Sequence, residues 1–553
     1  MIRTLVFLLL VYTQAANCQN TVTETHKLAA VCKIWGFLKY YHPNVARGDF
    51  NWDKQLKDIL PKIEKAKTKE EFSLTITNWI DSLGTVPETK IIDNESGSEY
   101  FDENFDLSWI TNNTLFSKNL IKKMKFIEQN RFQGDQYYVS TFNAGNVFVR
   151  NENYLNFKPD SKESRILVLF MFWNVIEYFY PYKYLMDKNW DKSLEELLPV
   201  FVNAGGEEDF YVAVKRLTVR LNDSHGLFYK YPDPNPELNK NKYYFPAGVK
   251  IIEDKIVVTE ILSDSIANAD NIKVGDVITK VDGKNVKDIV LENKEYVNGS
   301  NEAFYLYNLS LSILSKYSES VELEFLENDN YKTRIVNLHN YHDSHMNEYR
   351  KKEKKERFKI LDKNIGYVDM GLLKIQNIPS MIENLQSTKA IIFDLRNYPN
   401  STYEELSNFL NSKPKGFAIY TRPDLHYPGR YIWKDPTVTG FENKNNYKGK
   451  VIVLVNEYTF SQSEWTAMCF KTADNTTIIG SQTAGADGNV SVIDPVKTFI
   501  SRFSGIGVYY PDKKETQRIG IIPDIQIKAT IKGIKEGRDE ALERAILFIN
   551  QGI

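Results

Sequence analysis

Cysteine is scarce, with only Cys18, Cys32 and Cys469 in a chain of 553 residues. Cys18 ends a stretch that reads as an export signal, and the two remaining thiols stand too far apart in sequence to suggest a disulfide framework. Histidine is sparse as well, with 7 in all, and neither residue recurs at metal-ligand spacing, so no metal and no cofactor is expected. An excess of one charge is also missing. Lys and Arg number 70 against 72 Asp and Glu, a formal net charge of -2, which gives no global field to gather nucleic acid or anionic lipid. Long apolar runs are absent too. The apolar run at the start of the chain, residues 5–12, falls well short of the roughly 20 residues a spanning helix needs, so no transmembrane segment is expected.

Hydrophobic residues at 42% and charged residues at 26% are those of a soluble globular protein. At roughly 150 residues per domain the length suggests three or four domains. Residues 1–18 carry Arg3, the apolar stretch 5–12 and the small residues Ala15 and Ala16, the pattern of a cleaved signal peptide. An exported protein, periplasmic or extracellular, is therefore expected, with cleavage before Gln19. Lipid anchoring at Cys18 is the lesser alternative, because Asn17 is a poor fit to the small residue such signals prefer.

The chain repeats itself at a fixed offset of 138 residues. Trp35 matches Trp173, Tyr40 matches Tyr178, Pro43 matches Pro181, and Asn51-Trp52-Asp53-Lys54 matches Asn189-Trp190-Asp191-Lys192. Leu60-Pro61 then matches Leu198-Pro199, and Phe72 matches Phe210. Each copy reads as an apolar helix stopped at an aromatic-Pro step, followed by two further helices. The copies part at their ends: Leu83-Gly84-Thr85-Val86 closes the first, Leu221-Asn222-Asp223-Ser224-His225 the second. Only the second copy ends in histidine, a difference expected if one copy kept a chemical task. Between the copies, residues 136–142 alternate as a strand does.

From about residue 241 the chain turns to short β-rich runs, with Asp282-Gly283 as a tight turn. The stretch 261–278, with Gly275-Asp276 at its best-matched point, resembles the core of PDZ domains. That resemblance implies capture of an extended peptide tail by strand addition, with Phe245, Gly248 and Val249 in the candidate carboxylate-binding loop. A small β-domain acting as a hinge or lid is the alternative. The charged run 351–359 reads as a solvated linker.

Beyond it, apolar strands alternate with helical stretches at 379–386, 403–410 and 463–470, the pattern of βαβ units with strands buried on both faces. Asp394-Leu395-Arg396, the run from Asn456 through Ser461-Gln462-Ser463-Glu464, and Gly520 with Pro523-Asp524 resemble three motifs of the S41 peptidases, the tail-specific and tricorn-like proteases. The resemblance covers roughly residues 165–545 and runs in family order, from a helical segment ending in Asp-Ser-His through a PDZ domain to the core. It implies a ClpP/crotonase-like catalytic core in which Ser461 is the nucleophile and the Gln462 N–H an oxyanion donor. Ser463 is the rival nucleophile, and a plain helix cap is the alternative role for Ser461.

The lysine used by tail-specific members is replaced by Ala486, 25 positions after Ser461. The tricorn-like subtype takes its base from a Ser-His pair, which Ser224-His225 matches, so His225 is the expected base. An imidazole near its reference pKa of about 6.5 suits that task at neutral pH. Two departures accompany the match. The tricorn-type acidic position holds Gln517, leaving an amide to orient the base. The oxyanion glycines give way to Tyr398-Pro399-Asn400, where Pro399 has no N–H and Asn400 would have to substitute.

The expectation is a multidomain α+β chain: signal peptide 1–18, first helical repeat with a β segment 19–150, second repeat 151–238, PDZ-like domain 239–345 and catalytic α/β domain 356–547. It would be an exported serine endopeptidase acting on polypeptides, through their C-terminal tails where the PDZ-like module captures them. A catalytically impaired peptide- or ligand-binding protein on the same fold, or another serine hydrolase, is the alternative. Substrate identity, oligomeric state and the task of the first repeat carry no sequence signal.

Overall fold

Matching polar caps start the matching helices. Thr23 caps the helix Glu24–Tyr41 and Ser161 caps Lys162–Phe179, each accepting an N–H from the first turn. Asn51 and Asn189 do the same for Trp52–Lys65 and Trp190–Asn203. The third helices are Lys69–Ser82 and Glu207–Val219. The computed structural model describes residues 23–90, 98–152, 157–230, 242–340, 356–494 and 499–552. The expected export signal, with Cys18, and part of the charged run lie outside these residues. No helix among them is long and apolar enough to cross a membrane.

Two units are distinguished. The first comprises Met1–Arg220 with Thr421–Trp433 and Ser491–Ser501; the second comprises Leu221–Tyr420, Lys434–Val490 and Arg502–Ile553.

In the first unit both repeats form the same three-helix motif. Its lock is a reciprocal tryptophan pair: Trp173 Nε1 donates to the Trp190 carbonyl and Trp190 Nε1 to the Trp173 carbonyl, both at 3.1 Å. Trp35 and Trp52 repeat the exchange at 3.4 and 3.1 Å. The leading helices are buried on nearly every side, as their uniform apolarity requires. They lie parallel and in register, so equivalent positions meet. Lys162 pairs with Glu24 at 2.6 Å, and the Tyr40 and Tyr178 rings lie 5.2 Å apart. Asn174 fills the space over Gly36, where an added Cβ would stand 1.7 Å from the Asn174 Oδ1. The expected strand near 136–142 is Val139–Thr141, paired with Val147–Val149.

The second unit holds the β-rich module and the α/β core. In the module the strands run in the order Asn330–Asn337, Ser320–Glu327, Val277–Val281, Lys255–Ile261, Ala247–Ile252, the last at the sheet edge among the described residues and beside the helix Glu302–Ser310. Asp282 and Gly283 both have positive φ, the turn that an Asp-Gly pair favours.

The core sheet has six strands in chain order: Phe358–Leu361, Ile365–Asp369, Ala390–Asp394, Lys450–Val455, Thr476–Gly480 and Ile525–Gln526. The first pair is antiparallel and the rest are parallel. Side chains alternate between two buried layers. Ile391, Phe393, Val451 and Val453 join one, with residues of Ile378–Leu385, Tyr403–Leu410 and Gln462–Lys471; Ile392, Ile452 and Leu454 join the other, under Glu540–Gln551. Burial on both faces explains the unbroken apolar runs. Gly480 is required where it stands, because a Cβ there would lie 1.8 Å from the Val455 carbonyl oxygen.

Candidate active site

The strand Lys450–Val455 ends in a loop that delivers Ser461 to the start of the helix Gln462–Lys471. Thr459 fixes that loop by donating its hydroxyl to the Leu395 carbonyl at 2.8 Å and accepting the Asn456 N–H at 3.0 Å. Ser461 has φ 53° and ψ −118°, a conformation few side-chain-bearing residues adopt, and it makes no side-chain cap. Its N–H donates to the Ala486 carbonyl at 3.1 Å. Ser463, the rival nucleophile, is fully buried and donates its hydroxyl to the Asn397 carbonyl at 3.0 Å.

Glu464, on the helix that follows Ser461, holds the segment 483–486. Its carboxylate accepts the Gly485 and Ala486 N–H groups at 2.9 and 3.0 Å, and the Thr483 hydroxyl. Burial pushes this carboxyl up to about 7 against the pull of those donors. Asp487 beside it is raised well above its usual range, by burial and then by the Glu464 charge.

His225 enters the same locus. Its ring lies 4.6 Å, centroid to centroid, from that of Phe460, the residue before Ser461. His225 is 4% exposed, and its Nε2 is buried without a hydrogen-bond partner among the described residues. Nδ1 lies 2.8 Å from the Ser504 hydroxyl, whose proton goes to Asp223 Oδ1 at 3.0 Å. The Asp223 carboxylate also accepts the N–H groups of His225 at 3.0 Å and Ser504 at 2.6 Å. Burial lowers the His225 pKa, Asp223 opposes that shift, and Arg502 adds to it. The Ser461 hydroxyl makes no hydrogen bond among the described residues, so the contact between serine and imidazole is open in this conformation.

Each remaining expected residue has a definite place. Ser224 braces the segment: its hydroxyl donates to the Ala484 carbonyl at 2.8 Å and accepts the Ser300 N–H at 2.9 Å. Gln517 reaches the cluster one step behind the imidazole, donating Nε2 to Asp223 Oδ1 at 3.1 Å. The group on His225 Nδ1 is thus Ser504 rather than Gln517. Gln462 stands at the first helical position, where its N–H has no intrahelical acceptor. Its side chain donates to Ser401 at 2.6 Å, which ties the 398–401 loop to the helix start. Asn400 spends its side-chain amide on the Gly371 and Leu373 carbonyls, at 2.8 and 3.0 Å.

The expected carboxylate-binding loop is placed differently. Phe245 is packed into the core of the β-rich module, and Gly248 and Val249 belong to its edge strand. Between that strand and the helix Glu302–Ser310 lies a cavity of about 400 Å³, lined by Lys250, Ile252, Leu306, Tyr307, Glu457 and Gln482. Phe304 of the same helix stacks on Phe460 with ring centroids 5.3 Å apart, so the helix also touches the loop that carries Ser461. Asp223 and Ser504 were missed by sequence reasoning: Asp223 read only as the flank of Ser224-His225, and Ser504 lies in no motif. No group of His, Cys, Asp and Glu among the described residues is arranged to hold a metal.

Comparison with known proteins agrees with this architecture. Residues 238–314 match the PDZ domain and residues 364–527 match peptidase family S41. A crystal structure of a CPAF mutant is similar at a TM-score of 0.55 and 14% identity, covering 70% of this chain and 98% of that one. Mature CPAF complexed with lactacystin gives 0.53 and 14%, covering 69% and 98%. The photosystem II D1 C-terminal processing protease, at 0.39 and 16% over 68% and 98%, is too distant in shape to add to the argument. Identities this low speak to fold alone. No curated protein is a significant match to the chain. On the matched segments and the shared fold, this chain is a multidomain protein that carries a PDZ domain followed by a peptidase family S41 domain.

Proposed function

We propose that the chain is an exported serine peptidase in which Ser461 attacks the scissile carbonyl and His225 serves as general base. One observation carries the reading: a buried imidazole with an unpartnered Nε2 lies against the residue preceding a strained serine at a helix start. In the acylation step the Ser461 oxygen bonds to the carbonyl carbon while its proton passes to His225 Nε2. The oxyanion is received by the Gln462 N–H, with the Asn400 N–H as the second donor. Collapse breaks the C–N bond, and the same proton returns to the leaving amine. Water then repeats the sequence to release the acid. The contact open here is one that tightens on substrate binding, as unliganded catalytic contacts often do.

The groove beside the edge strand Ala247–Ile252 supports a polypeptide substrate held by its extended tail, because such an edge offers unpaired backbone groups. The test is labelling of the mature protein by a fluorophosphonate, together with cleavage of unfolded protein. Labelling abolished by Ser461→Ala supports the peptidase. No labelling and no cleavage would sink it, and peptide binding unchanged by Ser461→Ala would then favour a binding protein. That second reading rests on Pro399, which has no N–H to offer an oxyanion. Export is tested separately by fractionating cells and determining the mature N-terminus, expected at Gln19.

A further inference from the structure

We propose that Asp223, acting through the hydroxyl of Ser504, sets the tautomer of His225, with Gln517 steadying Asp223 rather than orienting the base. This inference rests on the peptidase reading above and names the positioning residues of that site. It follows from counting donors. A carboxylate can only accept, and the Asp223 Oδ1 stands 3.0 Å from the Ser504 Oγ, so the single hydroxyl proton points to Asp223. The lone pairs of Oγ are then left facing His225 Nδ1 at 2.8 Å. Nδ1 must carry the ring proton, and Nε2 is left as a bare acceptor, which is the form a general base needs. Asp223 cannot do this directly, because its Oδ1 lies 4.0 Å from Nδ1.

When Nε2 takes the Ser461 proton, the imidazolium keeps its Nδ1–H on Ser504 and the carboxylate offsets the charge. No proton travels along the chain. Asp223 is suited to hold that charge: it is 1% exposed and accepts from the N–H of His225, the N–H and hydroxyl of Ser504, and Gln517. Gln517 supplies one of those donors, so its uncharged amide fits the arrangement. The carboxylate has changed place, from the position Gln517 occupies to the residue two before the histidine.

The experiment measures fluorophosphonate labelling of Ser461 against pH in the full-length protein and in Asp223→Asn, Ser504→Ala and Gln517→Glu, with thermal unfolding as a check on folding. In Asp223→Asn the new side-chain amide can donate to Ser504 Oγ, turning the hydroxyl proton toward Nδ1 and favouring the wrong tautomer. The expected loss in plateau rate is up to about 10⁴-fold, the scale seen when a triad aspartate becomes an amide. Asp223 and Arg502 are the charged groups acting on the imidazole, so removing the Asp223 charge also moves the acid limb of the profile to lower pH. Ser504→Ala keeps that charge; its plateau falls about a hundredfold while its limb stays in place.

Gln517→Glu sets a second carboxylate against Asp223 Oδ1, and the pair must share a proton, so labelling slows. A purely structural role would lower the labelled fraction without moving the limb. Faster labelling in Gln517→Glu, or a wild-type rate and limb in Asp223→Asn, overturns the proposal while leaving the peptidase reading intact. A wild-type protein that is never labelled at Ser461 overturns both.

Discussion

The backbone N–H of Ser461 donates to the Ala486 carbonyl, and the Ala486 N–H donates to Glu464, three residues along the helix that Ser461 begins. The ring so formed sets where the serine sits, and it contains a carboxyl pushed up to about 7 from 4.5. A group with a raised folded pKa binds its proton more tightly folded than unfolded. Its stabilisation is complete below pH 4.5 and is lost as pH rises to about 7, a share on the order of 3 kcal/mol. Denaturant unfolding across pH 4–8 should show stability falling through that window, more shallowly in Glu464→Gln. The same downward slope in both proteins would remove Glu464 as the cause.

Strain at Ser461 predicts an unusual pair of variants. Glycine tolerates φ 53° and ψ −118°, whereas alanine does not. Ser461→Gly should therefore raise stability by about 1 kcal/mol while abolishing labelling, and Ser461→Ala should abolish labelling with no such gain. Calorimetry of the two proteins decides it; equal melting temperatures would mean the conformation is not strained.

Pro399 predicts a gain of activity. The 398–401 loop is tied to the helix start through Gln462 and Ser401, which puts it beside Ser461. Pro399→Gly restores an N–H to that loop. If the new donor reaches the oxyanion, acylation should speed up by about tenfold or more, given that one such donor is worth roughly a hundredfold. An unchanged single-turnover rate would show that Pro399 lies off the oxyanion path.

Gly36→Ala should strongly destabilise the helical repeats, because its Cβ would overlap the Asn174 amide. Asn174→Ala removes the obstructing atoms but forfeits the Nδ2 hydrogen bond to the Cys32 carbonyl at 3.0 Å. The double variant should be more stable than Gly36→Ala alone, with an interaction of about 1 kcal/mol or more by a double-mutant cycle, since the residues touch. Simple additivity would contradict the close contact.

Much of this was legible in the sequence because it is local. The duplication follows from residue matches at a fixed offset and the core strands from their apolar runs, and Ser461, Gln462 and Glu464 form one short motif. The helices expected at 403–410 and 463–470 are found at Tyr403–Leu410 and Gln462–Lys471. What stayed hidden depends on chain closure. Ser504 meets Asp223 across 281 residues, and nothing in the alternating strand Phe499–Ser504 marks its last hydroxyl. Phe245 was misplaced for a related reason: a Phe-Pro-Ala-Gly run looks like a loop until the sheet around it closes.

The in-register helices of the two repeats bear on how the duplication settled. In a homodimer, a residue that meets its own equivalent meets an identical side chain. Tyr40 with Tyr178 still obeys that restriction. Glu24 opposite Lys162 and Gly36 opposite Asn174 do not: two glutamates would repel, and two asparagines would compete for one space. Opposite charges and unequal volumes can face each other across such an axis only when the halves are written separately in one chain. The seam between the repeats is therefore one that two identical copies could not form with the same contacts.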